Sequence, residues 1–338
     1  VAKGLINYQA GKATDFELEY IHWPSFSNTE PDRDHENENT LSKIIPSSFP
    51  ALNLDVKEIF IGPTNYGRWK MKVSSDEQGA YLSGIDGEIK KLKVKGNASW
   101  LKPLAKGTAD KPEQTRLELN LSSDDVGGIQ RSWRKKSTLE AEKADVNLNL
   151  SWLNDPLGLE VKNLKGDVSL RLEDGRFIDA GDAAALNVFG ILNFGAIGRR
   201  LRLDFSDVYQ SGLHFDQVKA KTKIDNGMVT IVDTLNIDGP GAKFAVSGKI
   251  NMLTQELNQE LSVTFPIAST LPFLAVLAGF APPVAASIFL GEKLVGDQLE
   301  KFTSATYKLS GNWDDPELKL MKRFDKICFQ LNKKLSSN

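Results

Sequence analysis

Apolar side chains recur at every second residue along most of this chain. Leu52, Leu54 and Val56 alternate with polar neighbours, as do Leu92 and Val94, then Leu117, Leu119 and Leu121, then Val168, Leu170 and Leu172. A period of two gives an extended strand one apolar face and one polar face. The runs RWKMKV, TRLELNLSS, DVNLNLSW, LHFDQVKAKTKID, AKFAVSGKINM and ELSVTF therefore predict an antiparallel sheet with one wet side. Phe16, Leu18 and Tyr20 predict an earlier strand, and ATYKLSGNW a last one. Asp86-Gly87, Gly96-Asn97, Glu173-Asp174-Gly175, Asp225-Asn226-Gly227 and Asp238-Gly239-Pro240-Gly241 carry turn chemistry and are expected to separate strands.

Four stretches break the alternation. Residues 24–48 turn to Asn, Asp, Glu, Ser and Pro, and EPDRDHENENT has no apolar side chain, so a solvated loop is expected there. Residues 122–145 are polar and weakly helical. Ala180 to Gly198 places Leu186, Phe189, Leu192 and Phe194 at helical spacing. Leu261 to Gly291 contains no charged residue, but Pro272, Gly279, Pro282 and Pro283 divide it. Its longest uninterrupted piece, Phe273 to Ala281, would reach only about 13 Å as a helix, against a hydrocarbon core of about 30 Å. A single spanning helix is therefore not expected. The stretch could instead form a helical core, plug a cavity or dip into a leaflet, with Phe273, Leu274, Leu277, Phe280 and Ile288 as the contact residues. Beyond it the pattern predicts a helix from about Ala285 to Phe302. The tail puts Leu320, Phe324, Ile327, Leu331 and Leu335 on one helical stripe, with Lys319, Lys322, Arg323, Lys326, Lys333 and Lys334 facing only Asp325. Such a tail either docks on the domain or lies in a bilayer interface.

Charge and chemistry narrow the function. The chain has 338 residues, with 42 basic and 44 acidic side chains and a formal net charge of -2, so electrostatics make no case for nucleic acid as a partner. Cys328 is the single cysteine, which excludes an internal disulfide and a thiolate zinc site. His22, His35 and His214 stand far apart in sequence, and no GxSxG, Walker A or HExxH pattern occurs. No catalytic, cofactor-binding or metal-binding set is expected, and the chain does not read as an enzyme. Val1 opens the chain without a Met or a basic-then-apolar leader, which reads as a piece of a longer polypeptide.

One phrase repeats. SWLNDP at 151–156 and GNWDDP at 311–316 each close an alternating strand with Trp, an acidic turn and Pro, and ASWLKP at 98–103 is a weaker copy. Together with LKGDVSLRLEDGRF, FGILNFGAIGRRL, LDFSDV, GLHFD, IDGPGAKFAVSGKI and YKLSGNWDDPEL, the first two of these phrases make an ordered series that resembles the C-terminal region of YhdP-type AsmA-like proteins over roughly Asp145 to Leu320. The run from Arg199-Arg200-Leu201 to Asp204-Phe205-Ser206-Asp207 is its most specific part.

The resemblance implies an envelope protein of Gram-negative bacteria. Such a protein is tethered to the inner membrane by a part absent here, crosses the periplasm as a β-structured groove and ends near the outer membrane. It implies phospholipids as cargo and envelope proteins as partners, in intermembrane phospholipid transport. The rival expectation is a spacer that docks partners and carries no lipid. The expected fold is mainly β with α: an elongated, twisted antiparallel sheet bent into an apolar groove, with helices at the C-terminal end. Its segments are 1–145, with the loop near 24–48; 146–320, with helical stretches near 180–198 and 267–302; and a basic tail, 321–338. Leu117, Leu119, Leu121, Val168, Leu170, Leu172, Phe244 and Val246 either line the groove or form an ordinary core. Arg199 and Arg200 either hold a lipid phosphate or pair with the aspartates of LDFSD.

Overall fold

A computed structural model describes residues 1–24, 44–102, 113–135, 137–178, 213–240, 242–266 and 302–323. In chain order the strands are β1 Ala2–Asn7, β2 Thr14–Trp23, β3 Leu52–Val56, β4 Ile59–Ile61, β5 Thr64–Asn65, β6 Arg68–Asp76, β7 Gly79–Ile89, β8 Leu92–Leu101 and β9 Gln114–Ser123. They continue as β10 Leu139–Leu153, β11 Lys165–Phe177, β12 Leu213–Asp225, β13 Met228–Asp238, β14 Lys243–Asn251, β15 Glu256–Pro266, β16 Phe302–Asn312 and β17 Glu317–Arg323. Among the described residues these belong to one 17-stranded sheet, and the only α-helix, α1, is Val126–Ser132. The mainly-β expectation therefore holds.

The chain divides into two compact units: Val1–Leu172 with Lys221–Val229, and Glu173–Ala220 with Thr230–Asn338. In the first unit the ladder runs β1-β2-β3-β6-β7-β8-β9-β10. Every step is antiparallel except β2 with β3, and β2 also pairs in parallel with β4. Parallel neighbours need a crossover of a dozen or more residues. The polar stretch between Trp23 and Leu52 supplies that length, and alternation alone does not report strand direction. In the second unit β14, β15, β16 and β17 pair in sequence, all antiparallel.

The two units bury their apolar faces to different depths. In the second, Val246, Leu261 and Leu309 are fully buried, and Ile237, Ile250 and Val263 nearly so. In the first, Leu117, Leu119, Leu121, Leu148 and Leu150 are only half-buried. Burial is completed there only in patches, chiefly around Ile85, Ile89 and Val94.

Several expected turns are strand interior instead. Asp86-Gly87 lies within β7 and Gly96-Asn97 within β8. Gly87 is small because a Cβ there would stand 2.5 Å from the Trp69 ring, and Gly96 because a Cβ would stand 2.0 Å from the Glu118 carbonyl oxygen. Asp174, expected in a turn, takes a left-handed φ of 48° inside β11. Asn226 and Gly227 do form the β12–β13 turn, both with positive φ, and Gly239 N–H donates to the Ala242 carbonyl at the next hairpin.

Helices at the C-terminal end are not what the described residues show. Phe302, expected to end a helix, begins β16, and Leu320, expected on the helical tail stripe, lies in β17. The alternating ELKLMKR pairs with β16 and so prefers the extended chain. Residues 180–198, 267–301 and 324–338 lie outside the described residues, as do 25–43 of the polar loop. Within 122–145 the helix is confined to α1, and β10 begins at Leu139.

The recurring Trp phrase has a physical basis. Trp152 is buried and its indole N–H donates to the Asp155 carbonyl at 3.0 Å. The buried Asp155 carboxylate accepts from the Leu157 and Gly158 amides at 2.8 and 3.0 Å. Trp100, also buried, donates to Glu113 at 2.5 Å. Asp155→Ala takes the carboxylate acceptor from the Leu157 amide, while Gly158 keeps the Asp155 carbonyl at 3.0 Å, and is expected to destabilise the protein by about 1–2 kcal/mol. A urea titration should show a lower midpoint at unchanged slope.

Candidate functional site: an apolar face with aromatic ends

Strand registers align the apolar side chains of the first unit into rows that cross the strands. One row reads Leu52, Val73, Leu82, Ala98, Leu117 and Leu150 on β3, β6, β7, β8, β9 and β10. A second reads Val56, Trp69, Gly87, Val94, Leu121 and Val146 on the same strands. Leu119 lies between them, opposite Gly96 and Leu148. At about 4.8 Å per strand, each row is about 24 Å long. That exceeds the roughly 15 Å of a single leaflet, half of the bilayer hydrocarbon core. Ala98 keeps the floor of the first row low, whereas the Trp69 ring lies over Gly87 and Leu119 packs against Gly96.

Aromatic side chains close both ends of this face along the strand direction. At one end Phe49 meets Trp100 edge-on at 6.4 Å, and the buried Trp152 stands two strands away in register, across Thr115. Ser75 donates to the Phe49 carbonyl at 2.6 Å and fixes that loop. At the other end Tyr66, Trp69 and Trp133 pack on the Ile85, Ile89 and Val94 cluster, and Tyr66 meets Trp133 edge-on at 5.6 Å. The Trp69 indole donates to the Tyr66 carbonyl at 2.7 Å.

The reverse face is hydrated. Lys70 meets Asp55 at 3.2 Å, Lys93 meets Asp124 at 2.9 Å, and Asn120 donates to Asn147 at 2.9 Å. Exposed pairs of this kind add little stability; their effect is to keep this side of the sheet in water.

α1 is held at the Trp133 end by its cap. The Asp125 carboxylate accepts from the Gly128 amide at 2.7 Å and pairs with Lys91 and Arg131. The hydrogen bond from Lys91 is the main cause that holds this carboxyl below the ordinary carboxylate range, aided by the Gly128 amide and the Arg131 charge. Burial opposes the shift, by more than the Arg131 charge adds to it.

Of the eight expected lining residues, Leu117, Leu119, Leu121, Val168 and Leu170 are half-buried, whereas Leu172, Phe244 and Val246 are fully buried. Leu117, Leu119 and Leu121 join one face of the first unit, and Val168 and Leu170 alternate in phase on β11. Phe244 and Val246 belong to the core of the second unit. Arg199, Arg200, Phe273, Leu274, Leu277, Phe280 and Ile288 lie outside the described residues. Sequence reasoning missed Tyr66, Trp69 and Trp133 as a group, because they lie on separate elements. Among the described residues no helix is long and apolar enough to cross a membrane, and no cluster of His, Cys, Asp or Glu could hold a metal ion.

A family model described as YhdP protein matches residues 2–318. The chain belongs to the YhdP family. The match reaches well before Asp145, where the resemblance in the sequence became specific. A curated relative is the intermembrane phospholipid transporter YhdP of Escherichia coli strain K12, 28% identical over 208 residues, which are 61% of this chain and 16% of the relative. The chain thus spans a small part of that YhdP relative's length. No solved structure matches it.

Because the Asp125 carboxyl is depressed, its contribution is complete above the ordinary carboxylate pKa of 3.8 and is lost as pH falls through the lower folded value. Asp125→Ala is expected to cost about 1 kcal/mol near neutral pH, as for other lost N-caps. In thermal melts the gap to the parent should close on acidification, only below the ordinary carboxylate range.

Proposed function

We propose that this chain is a segment of an intermembrane phospholipid carrier, and that the apolar face of its first unit carries acyl chains. Family membership and the curated relative's printed activity support the cargo. The single observation that carries the mechanism is the pair of apolar rows, continuous across six strands, of which the first is half-buried along its length and the second is half-buried at Trp69, Leu121 and Val146 but buried at Val56 and Val94. Each strand contributes one rung, so the apolar path runs across the strands, not along them.

The physics suits a mobile cargo. Apolar burial is worth about 25 cal/mol per Å² and has no preferred direction. A chain moving from one rung to the next exchanges like contacts for like, so the path binds without trapping. Aromatic rings at both strand ends confine the chain laterally, and the charged reverse face stays in water. In this reading Leu117, Leu119, Leu121, Val168 and Leu170 line the path and Leu172 supports it. Phe244 and Val246 are buried core of the second unit. The compartment is the periplasm, with the cargo phospholipid and the wider polypeptide docking envelope proteins.

Leu117→Glu with Leu119→Glu puts two charges on the face without touching the fully buried core. Native mass spectrometry after incubation with phospholipid vesicles is expected to find lipid on the parent and at least about tenfold less on the variant. Circular dichroism should show the strand signal retained in both. A parent that carries no lipid would leave the spacer role as the better account.

A further inference from the structure

The Trp133 end of the apolar face carries an unusual set of cations. Lys90 and Lys91 form the two-residue turn between β7 and β8, with φ of 47° and 71°. Such turns favour Asn-Gly, since both central residues need positive φ. Arg134 follows α1 with φ of 56°, where the Lys135 amide returns to the Gln130 carbonyl at 2.9 Å. That is the helix-closing position ordinarily held by Gly. Three left-handed positions at one end of one sheet thus hold Lys, Lys and Arg. Backbone strain kept at a cluster of like charges points to a use for the charges.

Of these three cations only Lys91 is taken by a neighbouring acid among the described residues. Asp124 is taken by Lys93, Asp125 by Lys91 and Arg131, and Glu140 by Arg131. Glu88 stands opposite Lys93 and Arg68 in the ladder. Lys90 lies 3.6 Å over the Trp133 ring and donates to the Ser132 carbonyl at 3.2 Å. Its ammonium is therefore anchored to the aromatic end, with no carboxylate on it among the described residues. Arg134 and Lys135 are exposed, and no carboxylate partner holds them among the described residues.

We propose that Lys90, Arg134 and Lys135, set around Trp133, form a head-group rim that receives the phosphate of an anionic phospholipid whose acyl chain lies on the apolar rows. The proposal rests on the phospholipid reading above and adds head-group selection to it. Geometry matches the chemistry of such a lipid. The cations stand beside an indole ring, and that ring packs on Ile85, Ile89 and Val94 at the edge of the rows. A molecule with a negative head and an apolar tail meets both surfaces at once. An arginine offers paired donors to phosphate oxygens.

The test uses Arg134→Gly with Lys135→Ser in the full chain. Glycine suits the left-handed position, so the variant should melt no lower than the parent. With phosphatidylglycerol vesicles its lipid capture should fall roughly 10- to 30-fold, and with neutral phosphatidylcholine vesicles it should stay within about twofold. Lys72→Ser with Lys95→Ser removes as much charge from the hydrated face and should change neither. Equal phosphatidylglycerol capture by parent and Arg134/Lys135 variant would overturn the rim while leaving acyl binding standing. Equal loss in the Lys72/Lys95 variant would also overturn it, as would inorganic phosphate binding here without any lipid selectivity. A parent that captures neither lipid would instead refute the underlying transport reading.

Discussion

Covering one apolar face of a sheet is the constraint from which the rest of this molecule follows. Strict alternation gives each strand a dry side and a wet side, and registry across the ladder joins the dry sides into rows. Water contact on such rows costs about 25 cal/mol per Å², so something apolar must lie against them. The two units meet that demand differently. The second buries Val246, Leu261 and Leu309 completely, whereas the first leaves Leu117, Leu119 and Leu121 half-buried between aromatic ends. In the proposed reading, incomplete burial in the first unit is what sets a carrier surface apart from a finished core.

In the proposed reading, the strand ends carry the specificity that the rows lack. Rows of Leu, Val and Ala do not distinguish one acyl chain from another. The Trp100 end is built on indole hydrogen bonds and a buried Asp155 turn, which makes it a fixed wall. The Trp133 end is built on a short helix capped by Asp125, with basic residues in conformations better suited to glycine. One end serves packing, and the other combines packing with charge.

Much of the fold was legible because period two survives in the sequence whatever the neighbours are. The strands around Leu117 to Leu121, Val168 to Leu172 and Phe244 to Val246 stand where the alternation puts them. Turns were less legible. Gly87 and Gly96 read as turn residues but serve close approach inside strands, while the real turn at Lys90-Lys91 carries no turn signal. Composition cannot separate those uses of glycine, because both require only the absence of a side chain. The parallel pairing of β2 with β3 was hidden for a related reason, since alternation is the same in either direction. The aromatic group of Tyr66, Trp69 and Trp133 depends on three separate elements converging, which no local pattern records.

Photo-crosslinking with a diazirine amino acid at Leu119, compared with the same probe at Glu118, tests the central claim most directly. The two are chain neighbours on opposite faces of β9, so expression, position and membrane exposure are matched. Acyl-chain adducts at 119 and none at 118, identified by mass spectrometry from intact cells, are the predicted result. Equal adducts at both positions, or protein adducts alone at 119, would contradict an apolar face that carries lipid.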